Sequence, residues 1–493
     1  MGGGLNQLVI RGQHDIHFIK NPDMSYFKYS YNKHTNFALE SLELDFDGTA
    51  VPRLEELNKE YICKIKRDGD LLKKLYFCCT LPKIYSTSNL AFKWIENIGN
   101  ILLKKSTIKI NGLIIDKITS EWLNIWNELT IDDEGYDKMI GNIEKLNNPS
   151  LTRQKKIIIS NNKFIYDYYP NSSKNNLDNP SIDEYKLVIP IPFWFTKNPN
   201  LALPIIKLQS SEIQIGIELE DPEKLYTVYS NELEENISPL FYNELYSKDL
   251  TSGIKERNKI DINTFTVTKN LKAYIEAVYV FLDTDEIRKI QLKNQLSYLV
   301  ENIEYTTQSI VKSNKESKNE INITTTKPIK EIIWTTKRED YINKFNNHTN
   351  FTGSIRKNED YGILDRASIV ADKTKIIVDN KKDIFYNKIQ SYQHHSNILK
   401  NNGIYLYSFS LNPENNNPSG YLNGGYVDIK LEYYLKKFSL NDEEYNLDIK
   451  MRKYNKFTEL KLDTNIKNYY INIYCLSYNI FYIDGGIGSL RFI

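Results

Sequence analysis

Ile191–Leu219 reads IPFWFTKNPNLALPIIKLQSSEIQIGIEL, and Tyr405–Tyr433 reads YLYSFSLNPENNNPSGYLNGGYVDIKLEY. The two align without a gap at an offset of 214: Phe195 with Phe409, Asn198-Pro199 with Asn412-Pro413, Pro204 with Pro418, and Ile213, Ile215 and Ile217 with Val427, Ile429 and Leu431. Aliphatics on alternate residues, with Gln214, Gly216 and Glu218 between them, spell a strand with one buried side. The Asn-Pro before each strand reads as an N-cap followed by proline at the first helical position, which predicts one short helix per copy. Phe193-Trp194-Phe195, flanked by prolines, reads as a strand packed in the core rather than a platform for stacking sugars.

Two further pairs keep the same order. Phe37–Leu44 (FALESLEL) matches Tyr298–Tyr305 (YLVENIEY) at an offset of 261, and Val280–Asp283 (VFLD) matches Phe481–Asp484 (FYID) at 201. The falling offsets give the first copy the longer loops, most of the excess falling in the polar stretch Thr130–Glu184. Arg338–Lys388 and Lys436–Lys467 read as polar insertions in the second copy. Thr284–Gln295 (TDEIRKIQLKNQ) reads as a linking helix capped by Thr284, and Glu121–Leu129 (EWLNIWNEL) as a helix with Trp122, Leu123, Trp126 and Leu129 on one face. The predicted units are an arm (1–24), a first sandwich (25–284), a linker helix (285–295) and a second sandwich (296–493).

The 493 residues exceed what one hydrophobic core usually serves. With 36 Tyr, 20 Phe and 5 Trp, short strands are favoured over helices. The formal charge of +1 provides no field to draw the chain onto nucleic acid or an anionic membrane. It also removes the self-repulsion that would oppose packing against further copies. Cys63, Cys78, Cys79 and Cys475 show no disulfide spacing, so a reducing compartment is expected. The opening Met-Gly-Gly-Gly-Leu-Asn lacks the basic and apolar regions of a signal peptide, and Asn6 stands where myristoylation of Gly2 wants Ser or Thr.

Beyond the repeat, the run Gly3-Gly4, Gln7-Leu8-Val9, Gly12-Gln13, Asp15, Asn21-Pro22, Phe27-Lys28, Tyr31 and His34-Thr35-Asn36-Phe37 resembles the opening of the major capsid proteins of nucleocytoplasmic large DNA viruses. Ile191–Phe195 with Asn198-Pro199 and Leu201–Pro204, Leu282–Glu286, and Pro418-Ser419-Gly420 extend that resemblance over nearly the whole chain. It implies an all-β double jelly roll: two tandem eight-stranded antiparallel sandwiches with short helices and long polar loops. It further implies a homotrimeric, pseudo-hexameric capsomer that packs against neighbouring capsomers in an icosahedral shell, with the loops as outward towers. The first copy, with the larger loops, would build more of that relief. The arm would grip neighbours or minor capsid (cement) proteins, an underlying viral membrane is a further implied partner, and assembly would take place in the host cytoplasm. The competing reading is a minor virion or attachment protein whose tandem jelly rolls bind carbohydrate.

The sequence carries no Gly-x-Ser-x-Gly, P-loop or His-Glu-x-x-His, so no catalytic residues and no cofactor are expected. His14-Asp15-Ile16-His17 lacks further ligands at metal spacing. His394-His395 reads as loop or strand surface. Gly485, Gly486 and Gly488 read as turn residues. Sequons at Asn171, Asn236, Asn322, Asn347 and Asn350 are candidate glycosylation sites.

Overall fold

A computed structural model describes residues 3–10, 12–21, 33–47, 52–55, 57–149, 157–160, 163–166, 169–175, 177–231, 233–247, 259–312, 318–352, 362–372, 375–436 and 467–492. Sixteen strands form the two sandwiches. The first comprises β1 (Phe37–Leu44), β2 (Glu60–Lys64), β3 (Leu71–Leu81), β4 (Lys105–Ile110), β5 (Leu113–Thr119), β6 (Tyr185–Pro190), β7 (Ile213–Glu218) and β8 (Lys272–Leu282). The second comprises β9 (Gln295–Lys312), β10 (Lys318–Ile323), β11 (Pro328–Arg338), β12 (Leu364–Ala371), β13 (Lys375–Lys382), β14 (Ile404–Ser408), β15 (Ile429–Leu435) and β16 (Lys467–Asp484).

The sheet orders are β1-β8-β3-β6 facing β2-β7-β4-β5, then β9-β16-β11-β14 facing β10-β15-β12-β13. Strand for strand the second pair repeats the first, and both are jelly rolls. The three repeated segments fall on equivalent strands: β1 with β9, β7 with β15, and the ends of β8 and β16. Register sharpens the third pair. Phe37 pairs with Leu282 and its counterpart Tyr298 pairs with Phe481, so Phe481 corresponds to Leu282, two residues beyond the sequence match. A slip of two leaves every side chain on the same face.

Local chemistry explains the elements. Ile213, Ile215 and Ile217 on β7 are buried. The turn between β4 and β5 is Asn111-Gly112, both at positive φ (51° and 79°), the geometry a two-residue hairpin needs. The helix Ser120–Thr130 is capped by Thr119, whose side chain accepts from Trp122 N at 3.4 Å, and Trp122, Leu123, Trp126 and Leu129 are buried as predicted. The helix Thr284–Leu292 also forms, but its cap is Asp283, which accepts from Thr284 N, rather than Thr284 itself.

Several expectations change. Asn198 does cap a short 3-10 helix, Pro199–Leu201, accepting from Asn200 N at 3.0 Å, whereas Asn412-Pro413 enters only a turn. Phe193-Trp194-Phe195 is buried, but as the start of a short helix, Trp194–Lys197, not a strand. Arg338–Lys388 is not an insertion: it holds β12 and β13, two of the eight strands of the second roll. The true excess is in the connection after the fifth strand, residues 120–184 against 383–403, and it is partly structured by the helices Glu134–Ile140 and Glu144–Asn147 and a hairpin of Ile157–Ser160 with Lys163–Tyr166. Residues 437–466, most of the other polar insertion, lie outside the described residues, as do Gly2 and the Pro22, Phe27, Lys28 and Tyr31 of the opening run.

Candidate functional site

The two rolls are not beads on a string. One continuous apolar cluster contains the interior of the first roll together with Leu296, Val300, Ile333, Leu406, Tyr474, Leu476, Phe481 and Ile483 of the second. The second roll's own interior is a separate cluster around Ile332, Trp334, Ile369, Leu431, Ile471 and Ile473. Neighbours on one strand therefore serve different cores: Ile333 faces the first roll, while Ile332 and Trp334 face inward. In the sheet β9-β16-β11-β14, the strands β11, β14 and β16 are covered on both faces and β9 only in part, and the outer face of the sheet is the seam.

From the first roll, two connections grip this sheet. The helix Ser120–Thr130 contributes Trp122, 5.5 Å from the Tyr474 ring, and Glu121, which binds Thr335, Lys337 Nζ (3.1 Å) and Asn472 Nδ2 (2.8 Å). The loop between β6 and β7 contributes Trp194, whose ring lies 5.4 Å from Phe481, and Lys197, 3.2 Å from Glu301. In β5, Ile115 O accepts from Asn302 Nδ2 at 3.1 Å. In return, the connection after β11 docks onto the first roll: Asn346 Nδ2 donates to the carbonyls of Glu223 (2.7 Å) and Tyr226 (2.8 Å), and His348 Nε2 donates to Lys224 O at 3.2 Å. Burial, with Lys337 nearby, holds the His348 ring neutral by pushing its pKa down to about 3.

At the centre is a buried ionic network built on an irregularity. β11 and β16 shift register between Ile329 and Glu331, so Lys330 is an extra, unpaired residue. Such a bulge re-aims side chains, and Lys330 and Glu331, adjacent in sequence, are both 0% exposed. Lys330 Nζ binds Glu301, donates to Asn415 O at 2.7 Å and lies 5.2 Å from the Tyr478 ring centre. Glu331 accepts from His395 Nε2 at 2.8 Å, and His395 Nδ1 reaches Glu414 at 3.1 Å. With a carboxylate on each nitrogen, both must donate, so the ring is an imidazolium. Burial pulls its pKa down, but Glu331 and Glu414 outweigh that and hold it at about 9. Trp126 joins the two halves of the network, with Lys197 Nζ 4.6 Å from its ring centre and the His395 ring edge-on at 6.1 Å. Burial also lifts Asp116, beside Lys197, to about 6.

His395 thus corrects its surface reading. Adjacent histidines gave no warning, because the partners are 64 and 19 residues away in sequence. Of the sequons, Asn171 and Asn322 are exposed, Asn236 and Asn347 half-buried, and Asn350 buried with Oδ1 accepting from Thr352 N (2.9 Å) and Oγ1 (2.6 Å). Phe193, Trp194 and Phe195 are buried, so they offer no face to a sugar. Among the described residues no group of His, Cys, Asp and Glu could hold a metal ion, the four cysteines are free and buried, and no helix is long and apolar enough to cross a membrane.

Comparison with known proteins agrees with the geometry. Residues 25–283 match the family described as major capsid protein N-terminus, and residues 287–489 match large eukaryotic DNA virus major capsid protein. The chain is 28% identical to probable capsid protein 4 of Acanthamoeba polyphaga mimivirus, covering 100% of this chain and 99% of that one. It is 25% identical to the major capsid protein of Phaeocystis pouchetii virus, with 100% of both covered. In fold, it is similar to the PBCV-1 virus capsid protein (TM-score 0.64, 19% identity, 95% of this chain and 100% of that one) and to the Faustovirus major capsid protein (TM-score 0.62, 12% identity, 95% and 94%). Two like jelly rolls fused across a buried seam, matched over residues 25–283 and 287–489 by these families, place the chain in the major capsid protein family of large eukaryotic DNA viruses.

Proposed function

We propose that this capsid protein assembles as a homotrimer whose six jelly rolls form a pseudo-hexameric capsomer, and that such capsomers tile an icosahedral shell. The observation that carries this reading is the seam: two rolls of identical strand order are held by a shared core as one body. Three such bodies supply six like walls, so a threefold ring can pack as a sixfold tile. The role is structural rather than catalytic. The working units are the arm (1–24), the rolls (25–284 and 296–493) and the linker (285–295).

The arm suits a contact with neighbouring capsomers or minor capsid proteins, because Leu5, Leu8, Val9, Ile10, Phe18 and Ile19 are all exposed and an apolar surface in water favours a partner. Of the five sequons, Asn171 and Asn322 are the ones open to a transferase. Sedimentation of the purified chain with negative-stain imaging tests the assembly: a trimer with a hexagonal outline is expected, and a stable monomer would overturn the reading.

A further inference from the structure

At one end of the seam the contact between the rolls opens into a cavity. On β16 the outer-face row runs Leu476, Tyr474, Asn472 and Tyr470, because Ile471 and Ile473 point into the second roll. The neighbouring strands keep step: Ile333 and Tyr305 pair with Tyr474, whereas Thr335 and Thr307 pair with Asn472, and Lys337 pairs with Tyr470. The sheet therefore turns polar just past Tyr474, where the shared apolar cluster stops. The space over this polar end measures about 670 Å3. Ile101, the start of the helix Ser120–Thr130 and the helix Pro239–Ser247 wall it from the first roll, and the helix Glu339–Phe345 from the second. Small-molecule sites enclose roughly 300–1,000 Å3.

The wall holds unused hydrogen-bonding groups. Asn124 is 8% exposed, and its Oδ1 accepts from Asn97 Nδ2 (3.3 Å) and Asn100 Nδ2 (3.0 Å), which fixes the amide and leaves Nδ2 without a partner among the described residues. Asn346 is 4% exposed; its Nδ2 donates to two carbonyls of the first roll, and its Oδ1 is left over. Asn472 Oδ1 is likewise unmet, its Nδ2 being held by Glu121. Most buried polar groups find a partner, so three half-bonded amides around one cavity point to a ligand that completes them. Charge does not ask for an ion. The lining carboxylates of Glu121, Glu220 and Glu244 are matched in number by Lys224, Lys337 and Lys344, and Glu121–Lys337 (3.1 Å) and Glu220–Lys224 (2.9 Å) are direct pairs. The apolar part of the wall is Ile101, Leu240, Phe241 and Ile342, of which Leu240 is 51% exposed and so stands at the mouth.

We propose that this cavity binds a neutral single-chain lipid with a hydroxylated head, of the monoacylglycerol class. Hydroxyl groups both donate and accept, so the head meets the amides of Asn124, Asn346 and Asn472, while the alkyl chain lies against Phe241 and Ile342 and leaves past Leu240. Both rolls contribute to the wall, so the ligand is a removable pin between them, and its occupancy adds to the stability of the fused body. The site does not depend on the trimer reading.

The test uses the full chain and 1-lauroyl glycerol, kept below its micelle concentration, in isothermal titration calorimetry. One site per chain is expected, with a Kd of roughly 1–30 μM, together with a higher midpoint of thermal unfolding. Leu240→Glu closes the apolar mouth at an exposed position, and Asn124→Asp keeps the acceptor but removes the donor. Each is expected to weaken binding by about 10-fold or more, and Leu240→Glu should leave the circular dichroism and unfolding midpoint of the free chain unchanged. Laurate, with the same chain and a charged head, should bind at least about 10-fold more weakly. Absence of saturable binding overturns the proposal, as does binding that survives both substitutions. Laurate binding as tightly as the glyceride overturns the neutral head and with it the ligand class.

Discussion

The same sheet is built twice in this chain with opposite surroundings. In the second roll, ten of the eleven residues of β11 are buried, because the first roll covers the outer face. In the first roll, β1 buries only Leu44, and β8 alternates between buried and half-buried positions from Ile275 to Tyr279. Topology therefore does not dictate the pattern of a strand; its neighbours do. A strand covered on both sides loses its alternation, as PIKEIIWTTKR does, and can hide a lysine and a glutamate side by side only if a bulge turns them and partners meet them.

The largest way to break this contrast is to strip one member of the buried network. Lys330→Ala leaves Glu301 with Lys197 as its remaining cationic partner and should cost about 3 kcal/mol in denaturant unfolding, while Lys330→Met with Glu301→Leu should recover part of it. Full cost in the double variant as well would mean that packing, not charge, governs the site. Next, truncation should separate the two outer faces: Leu476→Ala, at the seam and fully buried, should cost about 3 kcal/mol. Leu39→Ala, on the open face, should change the stability of the unassembled chain by about 0.5 kcal/mol or less. Equal costs would show that the first roll's face is covered after all.

The third prediction concerns pH. His395 is held at about 9 in the folded chain, above its ordinary value near 6.5. Its contribution is thus complete below pH ~6.5 and lost as pH rises towards 9. Stability measured across that window should fall in the native chain, and the slope should flatten in His395→Gln. His348, held near 3, works the other way, losing its contribution as pH falls from ~6.5. The smallest expected difference compares the two Asn-Pro turns. Asn198→Ala removes a cap and should cost about 1 kcal/mol, whereas Asn412, which caps no helix, should tolerate alanine to within a few tenths; equal losses would give Asn412 a role in its turn beyond capping.

The repeat was legible because β1, β7 and their counterparts keep their apolar spacing wherever they are placed. β12 and β13 were not. β13 is an edge strand, KIIVDNKK, with only Val378 buried, and a strand facing solvent carries little period to read. The network was illegible for a different reason. Glu301, Lys330, His395 and Glu414 look like ordinary polar residues until β9, the bulge in β11 and two loops converge, and convergence is a property of the fold. Trp122 and Trp126 were recognised as a helix face, but not as one that serves a second domain.

The shared core also bears on synthesis. A wall of the first roll is made from Tyr474, Leu476, Phe481, Ile483 and Leu490, which leave the ribosome long after the first roll's own last strand, Lys272–Leu282. Until they arrive, an otherwise formed N-terminal half presents a bare apolar flank, and contacts between such distant residues close slowly. Each nascent chain therefore passes through an interval in which it can adhere to its siblings before its own second half has sealed it.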